Sequence, residues 1–198
     1  AAGGHEKITT GTYENKFGVA HEAVAALYGR VSRMRGIQIR GVQMHIGSQI
    51  TAPEPFIAAI RKMVPLVRQL KASHDISFFS IGGGVGIVYD AALASGRVDW
   101  WQNRATPLTI DDYARAVVSE TRDLGIRIHV EPGRLVVGNA GILLSRVLYV
   151  KRTGTKRFVI VDAAMNDLIR PALYGSYHEI VPARQLRSAS ADPEWVPT

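Results

Sequence analysis

The sequence predicts an α/β fold in which parallel strands are joined by crossover helices, followed by a separate β-rich segment. Strand-like and helix-like periods alternate at least three times before Gly141, and hairpin-like strands with no helix between them follow it. Such alternation leaves two architectures, a (β/α) barrel or an open doubly wound sheet. Position adds a third observation. The clusters His45-Ile46-Gly47-Ser48-Gln49, Gly82-Gly83-Gly84-Val85-Gly86 and Glu131-Pro132-Gly133-Arg134 each stand where a predicted strand ends. In parallel α/β folds those C-terminal ends carry the active site.

The elements follow in order. From Glu22 to Met34, Val24, Leu27, Tyr28, Val31 and Met34 keep helical spacing, and Gly36 stops the helix. Ile37 to Ile46 is short and β-branched, which predicts a strand running into the Gly47-Ser48 loop. Phe56, Ile57, Ile60, Met63, Val64, Val67 and Leu70 mark a strongly apolar helix face, with a kink expected at Pro65, which lacks a backbone donor. Ile76 to Ile81 reads as a buried strand entering the triple glycine, and a long polar connection containing Trp100 and Trp101 follows. Thr109 with Asp112 three residues on resembles a capping box, opening a helix through Tyr113, Val117 and Leu124 that closes at Gly125. The next strand is Ile126 to Val130. Beyond Gly141, Ile142 to Val150 and Phe158 to Val161 are strand-like, and Arg152 to Lys156 between them reads as a hairpin turn. The polar, proline-bearing tail from Ser188 onward is expected to be poorly ordered.

Composition narrows the function classes. The 198 residues are 46% hydrophobic and 21% charged, enough to bury a core, and the net charge of +7 is scattered rather than gathered into a basic tract. Anionic small molecules are therefore favoured over nucleic acid as partners. Without cysteine there is no disulfide framework or thiolate metal site, which suits a reducing compartment, and cytoplasm is the default expectation. The N-terminal residues carry no targeting signal, and no window is apolar enough to cross a membrane. No metal is expected.

Each motif has a bland reading beside the functional one. A triple glycine lets backbone N–H groups approach an anion without a Cβ in the way, but alone it is more often a plain turn. The Rossmann pattern fails at Ile87, and no P-loop lysine follows. His45 on an apolar strand would ordinarily be a core histidine, and Glu131 a solvated strand end. Arg134, beside a glycine-bearing turn, is suited to bidentate contact with a carboxylate or phosphate.

Together with Lys16-Phe17-Gly18, Ser80-Ile81 ahead of the triple glycine, and the segment Asp162 to Tyr174, these motifs resemble, in this order, the diaminopimelate decarboxylases. The likeness runs from about Ile8 to Pro182. The triple glycine and Glu-Pro-Gly-Arg are shared with ornithine and arginine decarboxylases, whereas Met165 to Tyr174 is the specific part. The resemblance implies the later part of a (β/α)8 TIM-type barrel over residues 1–140 and the start of a C-terminal β-domain over 141–198. It implies pyridoxal 5'-phosphate as cofactor, meso-diaminopimelate as substrate, L-lysine and CO2 as products, and a homodimer. By residue-wise carry-over His45 stacks on the cofactor ring, Ser48 and Gly82 to Gly84 help hold the phosphate, and Glu131 pairs with the pyridine nitrogen. Pro132, Gly133 and Arg134 belong to the same cofactor-binding turn, and Arg134, Arg170 and Tyr174 meet the substrate. Glu131 and His45 are the expected catalytic residues. The family's cofactor-bearing lysine is expected upstream of Ala1 and its cysteine-bearing motif and phosphate-binding tyrosine beyond Thr198, so the chain by itself is expected to be inactive. Lys16 matches a different family segment and reads as a surface lysine. The competing readings are a related decarboxylase acting on ornithine, arginine or carboxynorspermidine, and an inactive short relative serving as a binding or regulatory protein.

Overall fold

A computed structural model describes residues 17–87, 108–138 and 140–183. Lys16, the connection around Trp100 and Trp101, and the tail from Ser188 lie outside the described residues. The chain divides into two compact units, whose described residues are 17–87 with 108–141 (139 excepted), and 142–183.

In the first unit α1 (Val24–Val31), β1 (Gly41–Gln43), α2 (Glu54–His74), β2 (Phe78–Ser80), α3 (Ile110–Thr121), β3 (Arg127–His129) and the short α4 (Arg134–Val137) follow in turn. The strands lie in the order β1-β2-β3 and all pair in parallel, with Gln43 opposite Ser80 and Ser80 opposite His129. Each strand is three residues long, far shorter than its apolar run. Ile37, expected within the first, is half exposed, and Ser77 N–H already donates to Arg40 before the strand proper begins. Apolar side chains mark what is buried, whereas the strands cover only the regular part of the ladder, with single backbone bonds continuing beyond both ends.

The core lies on the helix side of the sheet. Val42, Phe79 and Ile81 pack with Phe56, Ile60, Val67 and Leu70 of α2 and Tyr113 and Val117 of α3. Phe56 and Tyr113 meet edge to face at 5.0 Å. Outside this core Arg61 grips Glu120 through two hydrogen bonds of 2.8 and 2.9 Å, joining α2 to α3. Helix α2 continues unbroken through Pro65, which is exposed on it. Thr109 caps the helix: Asp112 N–H donates to Thr109 Oγ1 at 3.1 Å, and Thr109 Oγ1 donates to Asp112 Oδ2 at 2.6 Å, so the two side chains of the expected capping box meet each other. Lys71 Nζ closes the other end of that helical segment by donating to the carbonyls of Leu124 and Gly125.

Beyond the strands the chain ends converge. Ile81 N–H donates to His129 O, Glu131 N–H to Gly82 O and Ile50 N–H to Gly84 O, each at 2.9 Å. A Cβ at Gly82, Gly83 or Gly84 would stand 2.2–2.3 Å from a backbone oxygen of Met44, Glu131 or Gly47 respectively. Only glycine admits such an approach, and Gly82 and Gly84 also have positive φ, +77° and +104°.

The second unit contains an antiparallel hairpin of β4 (Val147–Thr153) and β5 (Lys156–Val161), and α5 (Arg170–Tyr174). Residues 142–146 lie outside the strand in which Ile142 to Val150 had been expected. The turn is Gly154-Thr155, with Gly154 at φ +51°, the glycine that a two-residue hairpin loop favours at its first central position.

Two outcomes follow. Gly83→Ala should lower the thermal midpoint, because its methyl must push the Glu131 carbonyl aside at a cost near the top of the usual ~1–3 kcal/mol for overpacking. Gly29→Ala, in α1 with no atom within 4 Å of the added carbon, should raise it by ~0.5–1 kcal/mol in stability. Calorimetry of the two variants checks the pair of opposite signs. The second outcome concerns acid. Glu120 is held below its ordinary 4.5 by hydrogen bonds and then charge from Arg61. A depressed carboxylate adds stability that is complete above its unfolded pKa and is lost as pH falls through the folded value. Arg61→Ala should therefore shrink the stability difference between pH 7 and pH 3, measured by urea titration at each pH.

Candidate functional site

Residues two apart on a strand share a face. On the side away from the core, the register therefore aligns Gln43, Ser80 and His129 in one row, with His45, Gly82 and Glu131 beyond it at the C-terminal ends. This side lines a cavity of about 820 Å3 with Tyr28, Gly41, Phe78, Ser80, His129 and Glu131 on its wall. Phe78 and His129 stack there, ring centroids 4.5 Å apart and planes 7° from parallel. Tyr28 of α1 donates its hydroxyl to Gly41 O at 2.7 Å, and burial pushes that phenol above its ordinary pKa.

Glu131 is the centre of the polar contacts. Its Oε1 accepts from Ser80 Oγ and from Gln43 Nε2, each at 2.7 Å. Among the described residues, no hydrogen bond reaches its Oε2. Ser80 is buried at 4% exposure, and its Oγ also accepts from Gly82 N–H at 3.2 Å, so one hydroxyl links the glycine turn to the carboxylate. His45 is exposed rather than in the core, against the ordinary reading of a strand histidine, and its Nδ1 accepts from Gly83 N–H at 3.4 Å.

A second knot ties the three loops. Gln49, at φ +61°, accepts through Oε1 from Ile87 N–H and from Arg134 Nη1, both at 3.2 Å, and its Nε2 donates to Ile87 O. Arg134 thus opens α4 with its guanidinium turned toward the loop after β1.

His45, Ser48, Gly82, Gly83, Gly84, Glu131, Pro132 and Gly133 lie on the three loops that follow β1, β2 and β3 in the first unit, and Arg134 opens the helix after the third. Arg170 and Tyr174 lie on α5 in the second unit, where Arg170 stands 5.6 Å from the centre of the Tyr174 ring and donates through Nη2 to Ser176 Oγ at 3.2 Å. The acids of the same segment serve its backbone: Asp162 Oδ1 accepts from Arg146 N–H, and Asp167 Oδ2 from Ala164 N–H. Gln43 and Ser80 are not among the site residues expected from sequence: Gln43 stands in no motif, and Ser80 enters only as the residue leading into the triple glycine. Counting back by twos from His45 and Gly82 would have placed both on the face of Glu131. The described lysines of this unit, Lys62 and Lys71, are on α2, so among the described residues no amine stands on the open face of the sheet. No group of three or more possible metal ligands occurs among the described residues.

The chain is similar to known proteins. Residues 1–138 match the family model described as pyridoxal-dependent decarboxylase, pyridoxal binding domain. The diaminopimelate decarboxylase of Zymomonas mobilis is 40% identical over 177 residues, which cover 89% of this chain and 39% of that protein. The diaminopimelate decarboxylase of Archaeoglobus fulgidus is 38% identical over 202 residues, 98% of this chain and 44% of its own. The crystal structure of diaminopimelate decarboxylase from Helicobacter pylori complexed with L-lysine superposes with a TM-score of 0.77 at 36% identity, over 90% of this chain and 42% of that one. The chain thus spans 39–44% of the length of these relatives. With the family model covering residues 1–138 and the three parallel strand ends gathered around Glu131, the chain belongs to the pyridoxal-dependent decarboxylases, whose pyridoxal-binding domain residues 1–138 match.

Proposed function

We infer that this chain is part of a diaminopimelate decarboxylase that uses pyridoxal 5'-phosphate to convert meso-diaminopimelate into L-lysine and CO2. Its first unit is then the later part of an alanine-racemase-like (β/α)8 barrel, and its second begins the C-terminal β-domain. The observation that carries this reading is the meeting of His45, Gly82 to Gly84, Glu131 and Arg134 at the C-terminal ends of three adjacent parallel strands. Relatives named for that substrate, at about 40% identity, supply the substrate class.

The residues present fit the cofactor. Glu131 lines the cavity with Oε2 accepting from no described residue, which suits a carboxylate that must take a hydrogen bond from a protonated ring nitrogen. The exposed imidazole of His45 offers a flat surface beside it. The glycine turn serves packing first: two of its three amides are already engaged, by Ser80 and His45, which leaves Gly84 N–H and Ser48 as the donors for a phosphate. When bound, the cofactor supplies the sink for the electron pair left as CO2 departs.

This chain's residues would do the rest. Glu131 keeps the proton on the ring nitrogen, and His45 covers one ring face and excludes water from it. Pro132 and Gly133 shape the turn that brings Arg134 to Gln49. Arg134 and Arg170 are guanidiniums of the kind that pair with carboxylates, and a distal carboxylate is what separates diaminopimelate from ornithine. Tyr174, on the same short helix as Arg170, is read with it as a substrate contact.

Two measurements test the reading. Incubated alone with pyridoxal phosphate and borohydride, this chain should acquire no stoichiometric cofactor adduct at a single lysine, only the scattered labelling of exposed amines, because among the described residues no amine stands on the open face. Mass mapping of a stable adduct to Lys16 would overturn that. In the full-length enzyme, Arg170→Ala should lower kcat/KM for diaminopimelate by about 30-fold or more, from the ~2–5 kcal/mol typical of truncating one partner of a charged pair. Cofactor absorbance should be retained. Loss of the cofactor with the preference for diaminopimelate over ornithine intact would remove Arg170 from the substrate.

A further inference from the structure

We propose that Gln43 and Ser80 are positioning residues which hold Glu131 by one oxygen so that the other is presented to the cofactor's ring nitrogen. This rests on the reading of Glu131 as the ring-nitrogen partner and goes one step beyond it.

The geometry carries the assignment. Both donors reach the same atom, Oε1, each at 2.7 Å, from the two strands that precede the glutamate's own. A carboxylate on a strand end can turn about its terminal bond, and a single donor leaves that rotation partly open. Two donors converging on one oxygen from β1 and β2 stop it, and they leave Oε2 without a described partner at the cavity wall. Neither donor is a charged group, so the arrangement directs the carboxylate without neutralising it.

Ser80 has a second duty. Its hydroxyl hydrogen goes to Glu131, and the same oxygen accepts the amide of Gly82 at 3.2 Å. That acceptance fixes which way the hydroxyl points, since a lone pair turned to Gly82 leaves its hydrogen for Oε1. At 4% exposure no water competes easily for it. Gln43 is exposed, and its amide meets the glutamate from the opposite strand edge. The buried donor sets direction and the exposed one completes the clamp.

The test uses the full-length holoenzyme loaded with pyridoxal phosphate carrying 15N in its ring. The ring-nitrogen chemical shift reports protonation directly, independently of turnover. Glu131→Gln should move that shift toward the unprotonated value and lower kcat. Ser80→Ala and Gln43→Leu, each alone, should move it in the same direction by less and lower kcat by about ten-fold, as loss of supporting hydrogen bonds around an active-site ligand does. Added to Glu131→Gln, neither should have any further effect, because residues that act through a third lose their influence when it is gone. Gln43 is exposed, so Gln43→Leu keeps the test open if Ser80→Ala fails to fold. Additive losses of kcat in the Glu131→Gln background, or an unchanged ring shift in both single variants, would overturn the positioning role while leaving Glu131 as the partner. A ring shift unmoved by Glu131→Gln itself would remove the partner, and with it the clamp.

Discussion

The structure depends on how closely three strand ends can approach one another. Backbone oxygens of Met44, Glu131 and Gly47 occupy the space that side-chain carbons would need at Gly82, Gly83 and Gly84. Because those carbons are missing, hydrogen bonds between the chain segments persist past the regular strands, through Ile81 to His129 and Glu131 to Gly82. That continuation delivers the Glu131 carboxylate to Ser80 and the His45 ring to Gly83. A glycine run of this sort is commonly read as a cradle for phosphate. Here steric demand already accounts for it, and any anion finds only what the packing leaves over.

The two sides of the sheet have separate duties. On one, α2 and α3 clamp Val42, Phe79 and Ile81 in an apolar core, and Arg61 with Glu120 ties the helices together outside it. On the other, polar groups and the Phe78–His129 stack face a cavity. The stiff side makes the polar side accurate: hydrogen bonds of 2.7 Å from two different strands to one oxygen require that those strands not move relative to each other.

What could be read from residues alone was what is local or periodic. The capping box at Thr109 and Asp112 needs only four consecutive residues, and the buried face of α2 recurs every turn, so both are legible. Strand lengths were overread, because Ile37 and Ile142 are apolar yet stand outside the strands, the first half exposed and the second almost wholly in solvent. A kink was expected at Pro65, and the helix runs on through it from Glu54 to His74, since the missing donor falls on its exposed face. Motifs led to His45, the glycines, Glu131 and Arg134, whereas Gln43 was hidden and Ser80, though it leads into the triple glycine, showed no role of its own. A glutamine and a serine are ordinary strand-end residues until a partner brings a carboxylate between them.

The strict alternation of core row and cavity row says where this fold can change its length. A single residue inserted between Phe78 and Gly82 would exchange Phe79 with Ser80, turning a hydroxyl into the apolar layer and a phenyl ring into the polar one. Substitutions in the strands are therefore graded, but insertions and deletions there are all or nothing. The opposite ends of the strands are preceded by Gly36, Asp75 and Gly125, each at positive φ, in turns that precede the strand and carry none of the polar row. Length variation in descent has room in those three turns, and the strands between them are confined to point changes.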